Sequence, residues 1–232
     1  MLEETSSTMA EAAARAPSRP TWILARRQTA GRASRGRAWI DPPGNFAATL
    51  ALPCDLPAAE AALASFAAAL ALHDTLAALV PPGRLALKWP NDVLLDGAKL
   101  AGILLESAGH GPRVTRLAIG IGVNLRNAPP PQANALPPIA LAAATGLTLT
   151  PEAFLDRLAP AMAARLTQLA THGFPPIREE WLARAARLGQ RVTARTARES
   201  VTGLFETLDA TGALVLATQQ GRRAIPAGEV VF

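Results

Sequence analysis

With 232 residues, half of them hydrophobic, the chain can bury a sizeable core, either as one large domain or as a medium domain plus a small one. Its single cysteine, Cys54, excludes an intramolecular disulfide and a thiolate metal cluster. A net charge of +5 suits anionic partners such as nucleotides, nucleic acid or an acidic protein, yet no block of like charges marks a nucleic-acid arm.

The first sixteen residues, MLEETSSTMAEAAARA, contain no apolar secretory segment, and no run reads as a membrane span, so the expected compartment is the cytoplasm. Thr8-Met9-Ala10-Glu11 fits a capping box and predicts a helix to residue 16, with Ser6, Ser7 and Thr8 at its start. Residues 21–28 read as a strand with Trp22 and Leu24 on one face. A Gly-, Pro- and Arg-rich loop over 29–44 leads to a second strand over 45–52. Pro57 then suits the first position of a long helix ending at Val80.

Residues 85–89 read as a strand. Residues 93–95 and 99–106 form a predicted hairpin around Asp96-Gly97, and 113–125 another strand. The Pro-rich stretch 127–138 reads as an extended loop, followed by helices near 151–169 and 177–188. Beyond residue 188, short β-like runs with turns expected at Gly203, Gly212, Gly221 and Gly228 suggest a small β-barrel. The whole reads as α+β, a domain over 1–187 plus a small β domain over 188–232.

Chemistry-bearing residues cluster in three places. Gly31-Arg32-Ala33-Ser34-Arg35-Gly36-Arg37 joins three arginines to two glycines, which suits phosphate or carboxylate binding but also a solvated basic loop. Of 23 basic residues only Lys88 and Lys99 are lysine, and both lie within residues 85–106. A lysine is a compact point charge on a slim stem, so the pair could clamp anions in a narrow pocket; Lys88 alone could equally be a solvated strand residue. Asn91-Asp92 fits an Asx turn, or Asp92 a contact to Mg²⁺. Gly120 and Gly122 bare one face of a strand, which suits either a flat ligand or close packing. His73, His110 and His172 lack metal-ligand spacing, and no nucleophile elbow or Walker loop occurs.

Together, Ser7-Thr8, QTAGRASRGRAW, KWPNDVLLDGAKLAGILLE and IGIGVN resemble the catalytic core of bacterial biotin protein ligases, in order and approximate separation. The resemblance is detailed over residues 5–126, and KWPND followed by KLAGIL is its most specific part. The tail ending Gly228-Glu229-Val230 resembles the family's SH3-like C-terminal domain.

This resemblance implies a class II synthetase-like core with a mixed or antiparallel sheet. It implies a reaction in which biotin and Mg-ATP give biotinyl-5′-AMP, and biotin then passes to one lysine of a biotin carboxyl carrier protein of acetyl-CoA carboxylase or a related carboxylase. It places Ser7, Thr8 and Gln28 on the biotin head group. Gly31, Arg32, Ser34 and Arg35 fall in the loop that closes over the adenylate, with Arg37 and Trp39 ordering it. Lys99 lies between the biotin carboxylate and the α-phosphate. Lys88, Asn91 and Asp92 fall on the nucleotide and Mg²⁺ side. Gly102, Ile103, Leu104, Gly120 and Gly122 line the pocket, with Asn124 supporting it.

The chain departs from the family pattern at Ala33 and Ser34, which replace a glycine and an arginine, and at Met9, which replaces an asparagine. The strand preceding Ser7 is expected to be short or absent. With no room for an N-terminal helix-turn-helix, a short form without operator binding is expected. The resemblance leaves monomer or sheet-edge homodimer open. Two alternatives are a lipoate or octanoate ligase or transferase of the same fold, and a basic nucleic-acid module. The absence of tyrosine and an aromatic content of 4% disfavour the latter.

Overall fold

A computed structural model describes residues 1–131 and 136–232. The first unit contains α1 (Thr8–Arg15), β1 (Thr21–Ala25), β2 (Phe46–Pro57), α2 (Ala58–Ala62), α3 (Ala64–Ala77), β3 (Leu85–Lys88), β4 (Asp92–Leu95), β5 (Ala98–His110) and β6 (Arg113–Val123). Helices α4 (Leu141–Thr145), α5 (Pro151–His172) and α6 (Phe174–Leu182) follow. Strands β7 (Arg191–Arg195), β8 (Ser200–Leu208), β9 (Leu214–Thr218), β10 (Gly221–Ile225) and β11 (Glu229–Val231) make the second unit.

The first six strands form one antiparallel sheet in the order β1-β2-β6-β5-β4-β3. Its two faces follow from period-two alternation. Leu24, Phe46, Val93, Ile103, Ile119, Ile121 and Val123 pack into the main core with α3, α5 and α6. Helix α3 is apolar around most of its circumference and buried almost throughout, as such a pattern requires. Arg165 ties the three helices together, 2.6 Å from Asp74 of α3 and 2.8 Å from Glu180 of α6. The opposite sheet face carries Gly102, Gly120 and Gly122, with α1 packed at one end.

Both outer strands are covered. Leu2 and Thr5 bridge Ala25 and Gln28 beside β1. Residues 184–186 hydrogen-bond Leu87 of β3, through Leu87 N–H to Arg184 O at 2.8 Å and Ala186 N–H to Leu87 O at 2.7 Å.

The second unit is a five-stranded antiparallel sheet, β10-β9-β8-β7-β11. It is fastened to the first by Trp89, whose indole N–H donates to Gly212 O at 3.1 Å.

Several local expectations shift. Ser7 rather than Thr8 caps α1, its Oγ accepting from Met9 N–H at 3.2 Å, and Glu11 turns to Thr5 and Arg15 instead of closing a capping box. The single helix over 57–80 is two helices. Pro57 ends β2, and Leu63 N–H bonds Glu60 O three residues back, which tightens the turn between them. Gly203 is not a turn; it lies within β8, where a Cβ would fall 2.7 Å from Ala217 O. The expected Asp96-Gly97 turn is present, both residues in the left-handed region at φ 52 and 78. Part of the expected 127–138 loop, residues 132–135, lies outside the described residues. Among the described helices, none is long and apolar enough to cross a membrane.

Candidate active site

A cleft of about 1160 Å³, mouth included, opens over the glycine-bearing face of the large sheet. It takes side chains from the start of α1, the arginine loop, β3, β4, β5, β6 and β11, and from Pro129, Pro130, Leu136 and Pro138. Register sets its floor: Gly102 of β5 pairs with Gly122 of β6, and Leu104 with Gly120. A Cβ at Gly122 would fall 2.4 Å from the Trp39 ring, and one at Gly120 2.7 Å from Met9 Sδ. The bare strand face is thus covered by two side chains, and only glycine lets them lie so close.

The charged centre is a lysine–aspartate–lysine row. Asp92 Oδ1 lies 2.7 Å from Lys99 Nζ, and Oδ2 lies 3.6 Å from Lys88 Nζ. Lys88 is 4% exposed, so the reading of a solvated strand residue does not hold. Burial pulls its ammonium pKa below the usual lysine value, opposed by the nearby charges of Asp92 and Glu229. Its slim stem fits where an arginine fork would not. Lys99 is held from behind: its N–H donates to Pro137 O at 2.8 Å and its carbonyl accepts from Ile139 N–H at 3.0 Å. Asn124 donates to Ile139 O at 3.1 Å and Lys99 O at 3.4 Å, tying β5 and the returning loop to the end of β6. Asn91 clips β5 through its Nδ2 donating to Ile103 O at 2.6 Å.

At the other end, Gln28 Oε1 accepts from Thr8 N–H at 2.9 Å and from Thr8 Oγ1 at 3.2 Å, while Thr49 Oγ1 donates to Thr8 Oγ1 at 2.8 Å. Ser7 and Thr8 are buried. The arginine loop is a small hairpin. Trp39 N–H donates to Gly31 O at 2.9 Å, and a Cβ at Gly31 would strike Trp39 O.

Arg32 reaches Glu106 at 3.1 Å; Arg35 and Arg37 reach Glu229 of β11 at 3.2 and 3.6 Å. The cleft therefore gathers Ser7, Thr8, Gln28, Arg32, Ser34, Arg37 and Trp39 with Lys88, Asn91, Asp92 and Lys99. Gly102, Ile103, Leu104, Gly120, Gly122 and Asn124 complete the expected set, although the Ile103 side chain belongs to the core beneath. Gly31 and Arg35 are not in the cleft wall. Arg35 adopts the left-handed region (φ 60, ψ 34) and its side chain is engaged by Glu229.

Three side chains went unassigned in the sequence. Glu106 and Glu229 meet their arginines across 74 and 194 residues, a separation no local pattern reveals. Asp41 follows the hairpin with both carboxylate oxygens buried and without a hydrogen-bond partner. Burial pushes its pKa up to about 6; Gln28 is near enough to offset part of that, though not in hydrogen-bond geometry.

The folded chain keeps the Asp41 proton to about pH 6, whereas an ordinary aspartate releases its proton near 3.8. Stability is therefore expected to fall as pH rises from about 4 to 6 and to stay lower above that range. The shift corresponds to at most about 3 kcal/mol, roughly 1–2 after solvent screening. Asp41→Asn should raise the melting temperature by about 3–6 °C at pH 7.5 and by much less near pH 4. Thermal melts across pH check this.

Comparison with known proteins accords with this geometry. The model of the Biotin/lipoate A/B protein ligase family matches residues 2–124, and that of the Biotin protein ligase C terminal domain matches residues 188–232. The chain belongs to this family. A Biotin--[acetyl-CoA-carboxylase] ligase of Paracoccus denitrificans is 55% identical, covering all of this chain and 99% of its own length. Among solved structures, the biotin protein ligase of Aquifex aeolicus in complex with biotin and ATP shares the fold, with a TM-score of 0.83 over 99% of this chain and 95% of that one at 24% identity. The biotin protein ligase of Leishmania major in complex with biotinyl-5-AMP gives a TM-score of 0.64 at 25% identity, over 97% of each chain.

Proposed function

We propose that the chain is an ATP-dependent biotin protein ligase. It activates biotin as biotinyl-5′-AMP and transfers it to a lysine of the carrier domain of a biotin-dependent carboxylase, acetyl-CoA carboxylase being the acceptor suggested by the Paracoccus relative's name. The observation that carries this reading is the cleft: a neutral polar end at Ser7, Thr8 and Gln28, an apolar glycine floor, and a cationic end at Lys99 and Lys88. That order matches a ureido head, an apolar ring and chain, and a carboxylate meeting a triphosphate.

In the first step a carboxylate oxygen attacks the α-phosphate and pyrophosphate leaves. In the second, the carrier lysine attacks the acyl carbon and AMP leaves. Charge builds on phosphate oxygens and then on the acyl oxygen, so fixed cations are the expected means of lowering both barriers. Lys99 exchanges its Asp92 partner for the reacting oxygens. Lys88, buried and held charged by Asp92, faces the nucleotide phosphates. Arg32 and Arg37 swing from Glu106 and Glu229 onto the adenylate. Holding both substrates in one cleft supplies the entropic part.

Among the described residues, no group of three His, Cys, Asp or Glu side chains gathers as a metal cage. Asp92, a single carboxylate, would help hold Mg²⁺ brought in with ATP once Lys99 has turned to the substrate, and the ion would supply neutralisation of phosphate charge there. We place the enzyme in the cytoplasm and divide it near residue 188, the β domain lending Glu229 to the cleft.

Single-turnover transfer of biotin from preformed biotinyl-5′-AMP to an isolated carrier domain tests the second step, and its absence would contradict the reading. Within it, Glu229→Gln releases Arg35 and Arg37. The exposed pairs are individually weak, so the Michaelis constant for ATP should rise only about three- to tenfold, and protease cleavage in residues 31–39 should quicken by a similar factor.

A further inference from the structure

Behind the head-group end of the cleft lies a second cavity, about 560 Å³ with its mouth included. Its inner wall is apolar, from Ala12 and Ala13 of α1, Ala51 of β2 and Ala118 of β6; Glu106 and Arg116 also line it. Among the described residues, Met9 alone lines both spaces. Met9 is 3% exposed and lies against the bare backbone of Gly120. Register places it at the end away from Lys99. Lys99 neighbours Gly102, which pairs with Gly122, whereas Gly120, two residues earlier in β6, pairs with Leu104.

From this partition we infer that Met9 is a specificity-determining residue: its side chain is the wall that ends the acyl pocket and sets how large a ring system the enzyme accepts. The inference rests on reading the cleft as the biotin pocket. An unbranched thioether suits such a wall, because it fills an irregular gap without a polar atom that needs a partner. Shortening it joins the two cavities through apolar surroundings, so extra apolar bulk on the ring end of a substrate finds room instead of a clash. The polar contacts at Ser7, Thr8 and Gln28 stay in place.

The test uses the full chain and a desthiobiotin series in which the ring methyl is lengthened to ethyl and propyl, read as analogue-dependent ATP–pyrophosphate exchange. Wild type should discriminate increasingly against the longer substituents. In Met9→Ala the order should reverse, with about fourfold gained in kcat/KM for each buried methylene and about fifteenfold for propyl over methyl.

Met9→Ala combined with Ala118→Leu, which fills the space behind the wall, should abolish the gain. A folded Met9→Ala protein whose propyl-to-methyl ratio equals that of wild type would overturn the inference. So would a folded variant that loses exchange with every substrate alike, since a wall changes ratios. Failure of the wild type to exchange with biotin at all would instead contradict the proposed function.

Discussion

Lys99→Ala is expected to lower biotin-dependent ATP–pyrophosphate exchange by about 10²–10³-fold, the usual loss when one fixed donor to a developing charge is removed. The melting temperature should hardly move. Only the side chain is lost, and it is 29% exposed; the backbone bridges from Lys99 to Pro137 and Ile139 remain. The fall should lie in kcat more than in the Michaelis constant for biotin, because the head-group contacts are at the far end of the cleft. Lys99→Arg should restore little: the wider guanidinium must enter a space already bounded by the Trp39 ring, whose centroid is 5.8 Å from Nζ.

Asp92→Ala is expected to act on stability as strongly as on catalysis. Lys88 is 4% exposed, and Asp92 is its nearest counter-charge. Removing one partner of a buried pair leaves an uncompensated charge and costs about 3–5 kcal/mol. For a chain of this size that is a fall of about 10 °C in melting temperature. Lys88→Met should cost far less, since an apolar side chain of similar length replaces the buried ammonium, yet it should remove exchange activity. Combining Lys88→Met with Asp92→Leu should recover most of the stability lost in Asp92→Ala. Melts of the three variants form the comparison, and equal destabilisation by Lys88→Met and Asp92→Ala would show that the pair does not couple as described.

Much of this site is legible in the chain because its carriers are close in sequence. Lys88, Asn91, Asp92 and Lys99 sit on one β-meander whose Asp96-Gly97 turn fixes the register, so spacing alone brings them together. The glycine alternation in β6 likewise implies a close approach, although it does not say that Trp39 and Met9 make it.

Other features are not legible, for physical reasons. Lys88 taken alone reads equally as a solvated strand residue, but it is buried, and that burial follows from tertiary cover rather than local pattern. Arg35 falls in the adenylate loop by resemblance, yet its backbone is left-handed and its side chain pairs with Glu229, a partner in another unit. The short helix α4 has neither a side-chain cap nor sufficient length to announce itself. The split between α2 and α3 depends on a tight turn at Leu63 with no glycine or proline to mark it.

The most direct measurement is ATP–pyrophosphate exchange by the intact chain with biotin, lipoate and octanoate compared side by side. Exchange with biotin that depends on Lys99, with little or none from the linear acyl chains, is the predicted result. Exchange with lipoate or octanoate but not biotin would contradict it.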